Sequence, residues 1–113
     1  NNEDTFDTKS SYYFFWITLK DRKSRNYLAT KLRELDIYTT YRYWPITLVN
    51  GMKPYLSIAE KIIKAHDYSH RTLCLPLHSA LKEDDIYYIS ESINSILLIL
   101  LVEAQHIQMK RKK

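Results

Sequence analysis

Aromatic side chains interleaved with one cation, Tyr41-Arg42-Tyr43-Trp44-Pro45, are the residues of this sequence best suited to hold a ligand. A guanidinium presents a planar fork of N–H donors that matches phosphate oxygens and sugar hydroxyls, and aromatic rings beside a rigid Trp-Pro turn can form the rim of a pocket. The same pattern has a plain packing use. In a strand Tyr41 and Tyr43 share one face and pack, while Arg42 on the other face pairs with a surface acid. The segment ends where a loop begins, and loops carry much of the binding chemistry of folded proteins, so both uses stay open. Arg42, Tyr43 and Trp44 are the candidate substrate-binding residues.

The remaining reactive side chains do not assemble into a catalytic set. Of the four histidines, His66 and His70 are four residues apart and would share a helical face as metal ligands, but Asp67-Tyr68-Ser69 reads as a helix end, so no metal site is expected. Cys74 and His78 would need a depressed thiol pKa and an oxyanion site to act as a nucleophilic pair; within Thr72-Leu73-Cys74-Leu75 the thiol is expected to pack as a small hydrophobe. His78 itself, after Pro76, reads as a surface residue in a connecting turn. A single cysteine excludes an internal disulfide and a cysteine-based metal framework, and suits a reducing compartment. A single glycine excludes the phosphate-cradling loops of nucleotide-binding enzymes, which need several. No catalytic residue is assigned.

Periodicity predicts the elements that would position the candidate residues. Tyr12 to Leu19 is a block of aromatic and β-branched residues, expected to form a central strand with both faces covered. Arg22 to Leu35 carries Tyr27, Leu28, Leu32 and Leu35 at three- and four-residue spacing, an amphipathic helix that Asp21 can cap. Asp36 stands at the turn, where it tolerates the left-handed geometry usually given to glycine. Ile37 to Tyr43 re-extends as a strand ended by Trp44-Pro45, and Ile46 to Leu56 is a loop with little regular structure. Ser57 to His66 reads as a short helix and Thr72 to Leu75 as a third strand. From Glu83 a long helix follows, marked by Ile86, Ile89, Ile93, Ile96, Leu97 and Leu100 and opened by three acids that suit its N-terminal dipole. The expected class is α+β: a small sheet of about three strands with helices packed on it, a two-layer α/β sandwich. Residues 1–11 are expected to be a linker, 12–104 the folded domain and 105–113 a basic tail.

The totals agree with one globular domain of 113 residues, 45% hydrophobic and 27% charged. Net charge is +4, and Lys110, Arg111, Lys112 and Lys113 by themselves supply four positive charges, so the rest is near neutral and no nucleic acid partner is expected. The chain opens Asn1-Asn2-Glu3-Asp4 without a signal pattern, and its longest apolar run, Ile96 to Val102, falls short of the roughly 20 residues of a spanning helix. A cytoplasmic protein without a membrane partner is the expectation.

The order of these elements resembles a known family. An aromatic strand, then DRKSRNYLATKLRELDIYTTYRYWPI, a loop, a short AEKI helix and LCLPLHSALKEDDIYYI are similar to the C-terminal small domain of the DegT/DnrJ/StrS pyridoxal-phosphate-dependent sugar aminotransferases, over roughly Tyr12 to Leu97. Two departures stand out: Asp36 where the family usually has glycine, and Thr47 near where a histidine often follows the proline segment. The resemblance implies part of an enzyme. Pyridoxal phosphate (PLP), its Schiff-base lysine and most phosphate-binding residues would belong to a large cofactor-binding domain or subunit, with no cofactor held by this chain alone. The family enzyme is a dimer, and the small domain helps wall the nucleotide-sugar substrate, with Arg42, Tyr43 and Trp44 as the wall residues. The alternative is a non-catalytic binding module that keeps the fold and forms a homo-oligomer through its exposed sheet and Ile96 to Val102.

Overall fold

The computed structural model describes residues 9, 11–55 and 63–112 of the chain. In chain order the elements are β1 (Trp16–Thr18), α1 (Arg22–Glu34), two 3₁₀ turns (Ile46–Leu48 and Asn50–Tyr55), α2 (Ile63–Arg71), β2 (Thr72–Cys74) and α3 (Glu83–Arg111). Most of residues 1–11, and 57–62 at the start of the expected second helix, lie outside the described residues.

Helix α1 forms where its spacing predicts. Asp21 accepts a 2.7 Å hydrogen bond from the Ser24 N–H, satisfying one of the donors that a helix start leaves without a partner. Leu28 and Leu32 are fully buried at 0% exposure, whereas Leu35, the last of the predicted stripe, is 40% exposed because the helix has already ended. Asp36 takes φ 60°, the left-handed turn predicted for it. There the Ile37 N–H reaches back to the Leu32 carbonyl at 2.9 Å and the Asp36 N–H to that of Arg33 at 3.1 Å. This doubly bonded stop drives Ile37 into the core beside Leu32.

The sheet is smaller than predicted. Among the described residues it is a two-stranded antiparallel ribbon, with Trp16 opposite Cys74, Ile17 opposite Leu73 and Thr18 opposite Thr72. The predicted strand Ile37 to Tyr43 is reduced to one bridge, Thr40 to Cys74, on the other side of β2, its two hydrogen bonds 2.9 and 3.1 Å long. β2 is therefore the inner segment and β1 an edge, not the central strand expected. The ladder stops for a local reason. The next pairing site along β2 is Pro76, which has no N–H to give, and at the other end β2 begins directly where α2 ends at Arg71.

Ile17 and Leu73 face the helices and join Leu19, Leu28, Leu32, Ile37 and Ile96 in one core, with Ile89, Ile93 and Leu97 of α3 packed against it. On the opposite face Trp16 is 38% exposed although its partner Cys74 is buried, and Tyr13 and Phe15, ahead of the strand, are more exposed still. The expectation that both faces of the aromatic block would be covered does not hold within this chain. Accessible surface totals 9686 Å², against about 6,600 Å² for a compact monomer of 13.6 kDa.

Helix α3 runs for 29 residues, through most of the predicted basic tail, to Arg111. The Asp85 carboxylate accepts from the Lys82 N–H at 2.9 Å at its start, and the Tyr88 hydroxyl donates to the Leu35 carbonyl at 3.1 Å, tying the helix to the end of α1. By length and composition alone α3 is apolar enough to cross a membrane, with a window of mean hydropathy 1.5 of which 11% is buried. The unbroken run Ile96 to Val102 understated this, because single polar residues interrupt the apolar stretch without ending it.

Candidate functional site

Beyond the Thr40 bridge the chain leaves the sheet, and Tyr41 to Pro45 follow no strand alternation. Arg42 lies over the Phe14 ring, 5.3 Å from its centre, and Tyr43 meets the same ring edge-on at 5.7 Å. Adjacent residues on one ring cannot be opposite faces of a strand. The predicted sharing of a face by Tyr41 and Tyr43 is absent, and among the described residues Arg42 has no acid paired with it. Phe14 also contacts Tyr13 edge-on at 4.5 Å, so the aromatic block before β1 continues into the candidate segment. Tyr43 and Trp44 are 67 and 63% exposed.

Arg42, Tyr43 and Trp44 share an open cleft of about 410 Å³ with Thr47, His66 and Ser69. One wall is the segment 42–47 and the other is α2. Thr47 is buried, and its hydroxyl is hydrogen-bonded to Nε2 of His66. The 3₁₀ turn that begins at Ile46 aims Thr47 at α2, a turn absent from the expected irregular loop.

α2 does not end at residues 67–69 as predicted but continues to Arg71. Arg71 bonds Asp67 one turn earlier at 2.8 Å, the Ser69 hydroxyl donates to the His66 carbonyl and the Thr72 hydroxyl to that of Tyr68. These side chains support the last turn rather than breaking it. Asp67 holds the Arg71 guanidinium pKa above its usual value. His66 and His70 therefore do lie on one helix, yet no group of three metal-ligating side chains exists among the described residues.

A residue that sequence reasoning did not place, Arg25, joins the two walls. Its side chain is buried in α1, 4.0 Å over the Tyr41 ring, and donates to the Ser69 carbonyl of α2 at 2.9 Å and to the Asn26 side chain at 2.9 and 3.1 Å. Burial lowers its pKa, offset in part by Tyr41. The available signal was its position on the apolar face, three residues before Leu28.

His78 is exposed and borders a second cleft, about 580 Å³, with Asp36, Asp85, Tyr38 and Tyr88. Cys74 is buried in β2 and lines a different cleft, against Phe14, Thr40 and Arg42. No hydrogen bond joins Cys74 to His78, and Cys74 packs as the sequence predicts.

Comparison with known proteins places these clefts in context. The model of the DegT/DnrJ/EryC1/StrS aminotransferase family matches residues 1–94. The dTDP-4-dehydro-2,3,6-trideoxy-D-glucose 4-aminotransferase of Saccharopolyspora spinosa is 35% identical over 82 residues, 73% of this chain and 20% of that enzyme. The crystal structure of the aminotransferase TlmJ from Streptoalloteichus hindustanus superposes with TM-score 0.71 at 34% identity, over 82% of this chain and 24% of that one. A Streptococcus pneumoniae protein assigned as a sugar aminotransferase, in its apo form, shares the fold with TM-score 0.71 at 20% identity, over 81% of this chain and 24% of its own; it is also known in PLP and PMP forms. The chain thus spans a fifth to a quarter of the length of these relatives.

Proposed function

The chain belongs to the DegT/DnrJ/EryC1/StrS aminotransferase family, and from that premise we propose that it is the C-terminal small domain of a nucleotide-sugar aminotransferase. Residues 12–104 are the domain, 1–11 its connection to a large cofactor domain or subunit, and 105–113 a basic end. The observation that carries this reading is the exposure of the aromatic side chains before and in β1, Tyr13, Phe15 and Trp16, on a chain a fifth to a quarter the length of its relatives. Each such side chain left in water forgoes roughly 1.5–3 kcal/mol of burial, a gain that packing against a further domain would recover.

The family is PLP-dependent, and the cofactor supplies amine transfer from an amino acid to a keto sugar. The cleft of this chain does not fit that group by itself: no lysine is among the described residues that line it. The Schiff-base lysine is assigned to the large domain. What this chain contributes is position. The Arg42 fork binds phosphate oxygens of the sugar nucleotide, the Tyr43 hydroxyl and Trp44 ring hold the sugar edge, and Thr47 with His66 closes the floor. Such a substrate is in keeping with a cytoplasmic enzyme.

The test mixes the chain with the cofactor-bearing polypeptide and measures both the cofactor absorbance and the KM for the nucleotide sugar. Arg42→Ala is expected to raise KM about tenfold to a hundredfold, the loss of a charged hydrogen bond, with absorbance unchanged. An unchanged KM would remove Arg42 from the substrate wall. Failure of the mixture to transaminate any keto-sugar nucleotide would overturn the enzyme reading.

A further inference from the structure

The hydrogen bond between Thr47 and His66 allows a proton to be placed. Thr47 is buried, and its hydroxyl has one partner among the described residues, Nε2 of His66. A buried hydroxyl carries a single proton and gives it to an acceptor within reach, so Thr47 donates and Nε2 accepts. A neutral imidazole whose Nε2 accepts keeps its own proton on Nδ1. Among the described residues no hydrogen bond engages Nδ1. His66 is half-buried and lines the cleft from the α2 side, held by one nitrogen and left with an N–H donor on the other.

The other lining groups indicate what this donor meets. No aspartate or glutamate is among the described residues that line the cleft, and Asp67, next to His66 in the chain, is held by Arg71. The Ser69 and Thr72 hydroxyls are already given to the carbonyls of His66 and Tyr68. On the other wall stands the Arg42 guanidinium, with no acid paired to it among the described residues. A fixed cation and a neutral N–H donor on two walls, with no carboxylate to repel an anion, suit a ligand that carries two linked phosphates. We propose that His66 is a substrate-contacting residue that donates from Nδ1 to the diphosphate of the nucleotide sugar, with Arg42 on the same group from the opposite wall. Thr47 is the positioning residue that keeps the donor proton on Nδ1. This rests on the reading of the cleft as part of the substrate wall. The tautomer matters because an unprotonated Nδ1 would set its lone pair against those of the phosphate oxygens, and the bond would form only after a proton moved.

Long-range proton–nitrogen NMR spectra of the full chain in mildly alkaline solution, with His66 assigned by its loss in His66→Gln, show which ring nitrogen holds the proton. The expected form is Nδ1–H. Thr47→Val, close in shape but without the hydroxyl, is expected to move the population toward Nε2–H, and Thr47→Ser to keep Nδ1–H. Affinity is measured on the chain mixed with the cofactor-bearing polypeptide, with thymidine diphosphate and inorganic pyrophosphate as probes of the diphosphate group. His66→Gln keeps an amide within reach of Thr47 but no donor where Nδ1 stood, so a merely structural histidine would tolerate it. It is expected to weaken both probes about tenfold, and Thr47→Val about threefold to tenfold, with Thr47→Ser unchanged. An Nε2–H form in the parent chain overturns the inference. So does full affinity in His66→Gln beside an Arg42→Ala variant that binds weakly, an outcome that leaves the substrate wall standing. Full affinity in both variants overturns the inference and the substrate wall together.

Discussion

Replacing Asp36 by glycine is expected to stabilise the chain by about 1 kcal/mol. Asp36 holds φ 60° at the position after α1, where its N–H and that of Ile37 satisfy the Arg33 and Leu32 carbonyls. An L-residue pays roughly 1–2 kcal/mol in this region, a cost that aspartate only partly recovers through its short polar side chain. Among the described residues the Asp36 carboxylate shows no hydrogen bond, and its charge lies at the negative end of the helix dipole, worth about 0.3–1 kcal/mol against it. Glycine removes both penalties and adds back about 0.5–1 kcal/mol of unfolded-chain entropy. In urea, with a slope near 1.5 kcal/mol/M for a chain of this size, the midpoint should rise by about 0.7 M. Asp36→Asn isolates the charge and should recover only the dipole part, while Asp36→Ala keeps the backbone penalty and should fall below both. Equal midpoints for Ala and Gly, or a glycine variant weaker than the parent, would refute the assignment of strain to this residue.

Three other outcomes follow from the packing. Leu28→Ala, at a site with no exposure, should cost about 3 kcal/mol in the same melts, most of the stability of so small a core. Arg25→Met should cost about 2 kcal/mol by leaving the Ser69 carbonyl without its donor, and should broaden the amide resonances of both Tyr41 and Ser69. Asp21 has its pKa lowered mainly by the Ser24 N–H. Its contribution is therefore whole above the unfolded value of about 3.9 and is lost as pH falls through the lower folded value. Asp21→Asn, which keeps the cap, should flatten that acid limb of a stability-versus-pH curve.

What the sequence showed clearly was chemistry confined to a few neighbouring residues. The Asp21 cap, the Leu28 and Leu32 stripe and the left-handed Asp36 each depend on positions within one or two turns, and each appears as read. The strands were misjudged because their extent depends on partners far along the chain: aromatic and β-branched residues before Trp16 and after Ile37 suit a sheet, but β2 offers only three residues and then Pro76. The end of α2 was misplaced because Asp67 and Ser69 are common helix breakers. Here Asp67 finds Arg71 four residues on, a pairing that the spacing already contained. At the candidate site the sequence named Arg42, Tyr43 and Trp44, and the structure sets them around one cleft. His66 and Thr47 are 19 residues apart, and nothing local announces that they meet.

Arg25 shows why the cleft has the shape it does. A leucine at this core-facing position would bury more apolar area at no desolvation cost, and replacing buried charges by hydrophobic residues is often neutral or stabilising. An arginine is useful there because it addresses two elements at once: its plane covers Tyr41, one residue before Arg42, and its Nη1 holds the last turn of α2 through Ser69. The two walls of the cleft are thereby fixed to α1 and so to each other, although no strand runs between them. On this argument Arg25→Met should do more than lower stability. On the function proposed above, an enzyme assembled from this chain and a cofactor domain should then show a raised KM for the nucleotide sugar with its cofactor absorbance intact, at temperatures where the variant is still fully folded. A variant that melts earlier yet keeps its KM would confine Arg25 to the core and leave the geometry of the cleft to its partner domain.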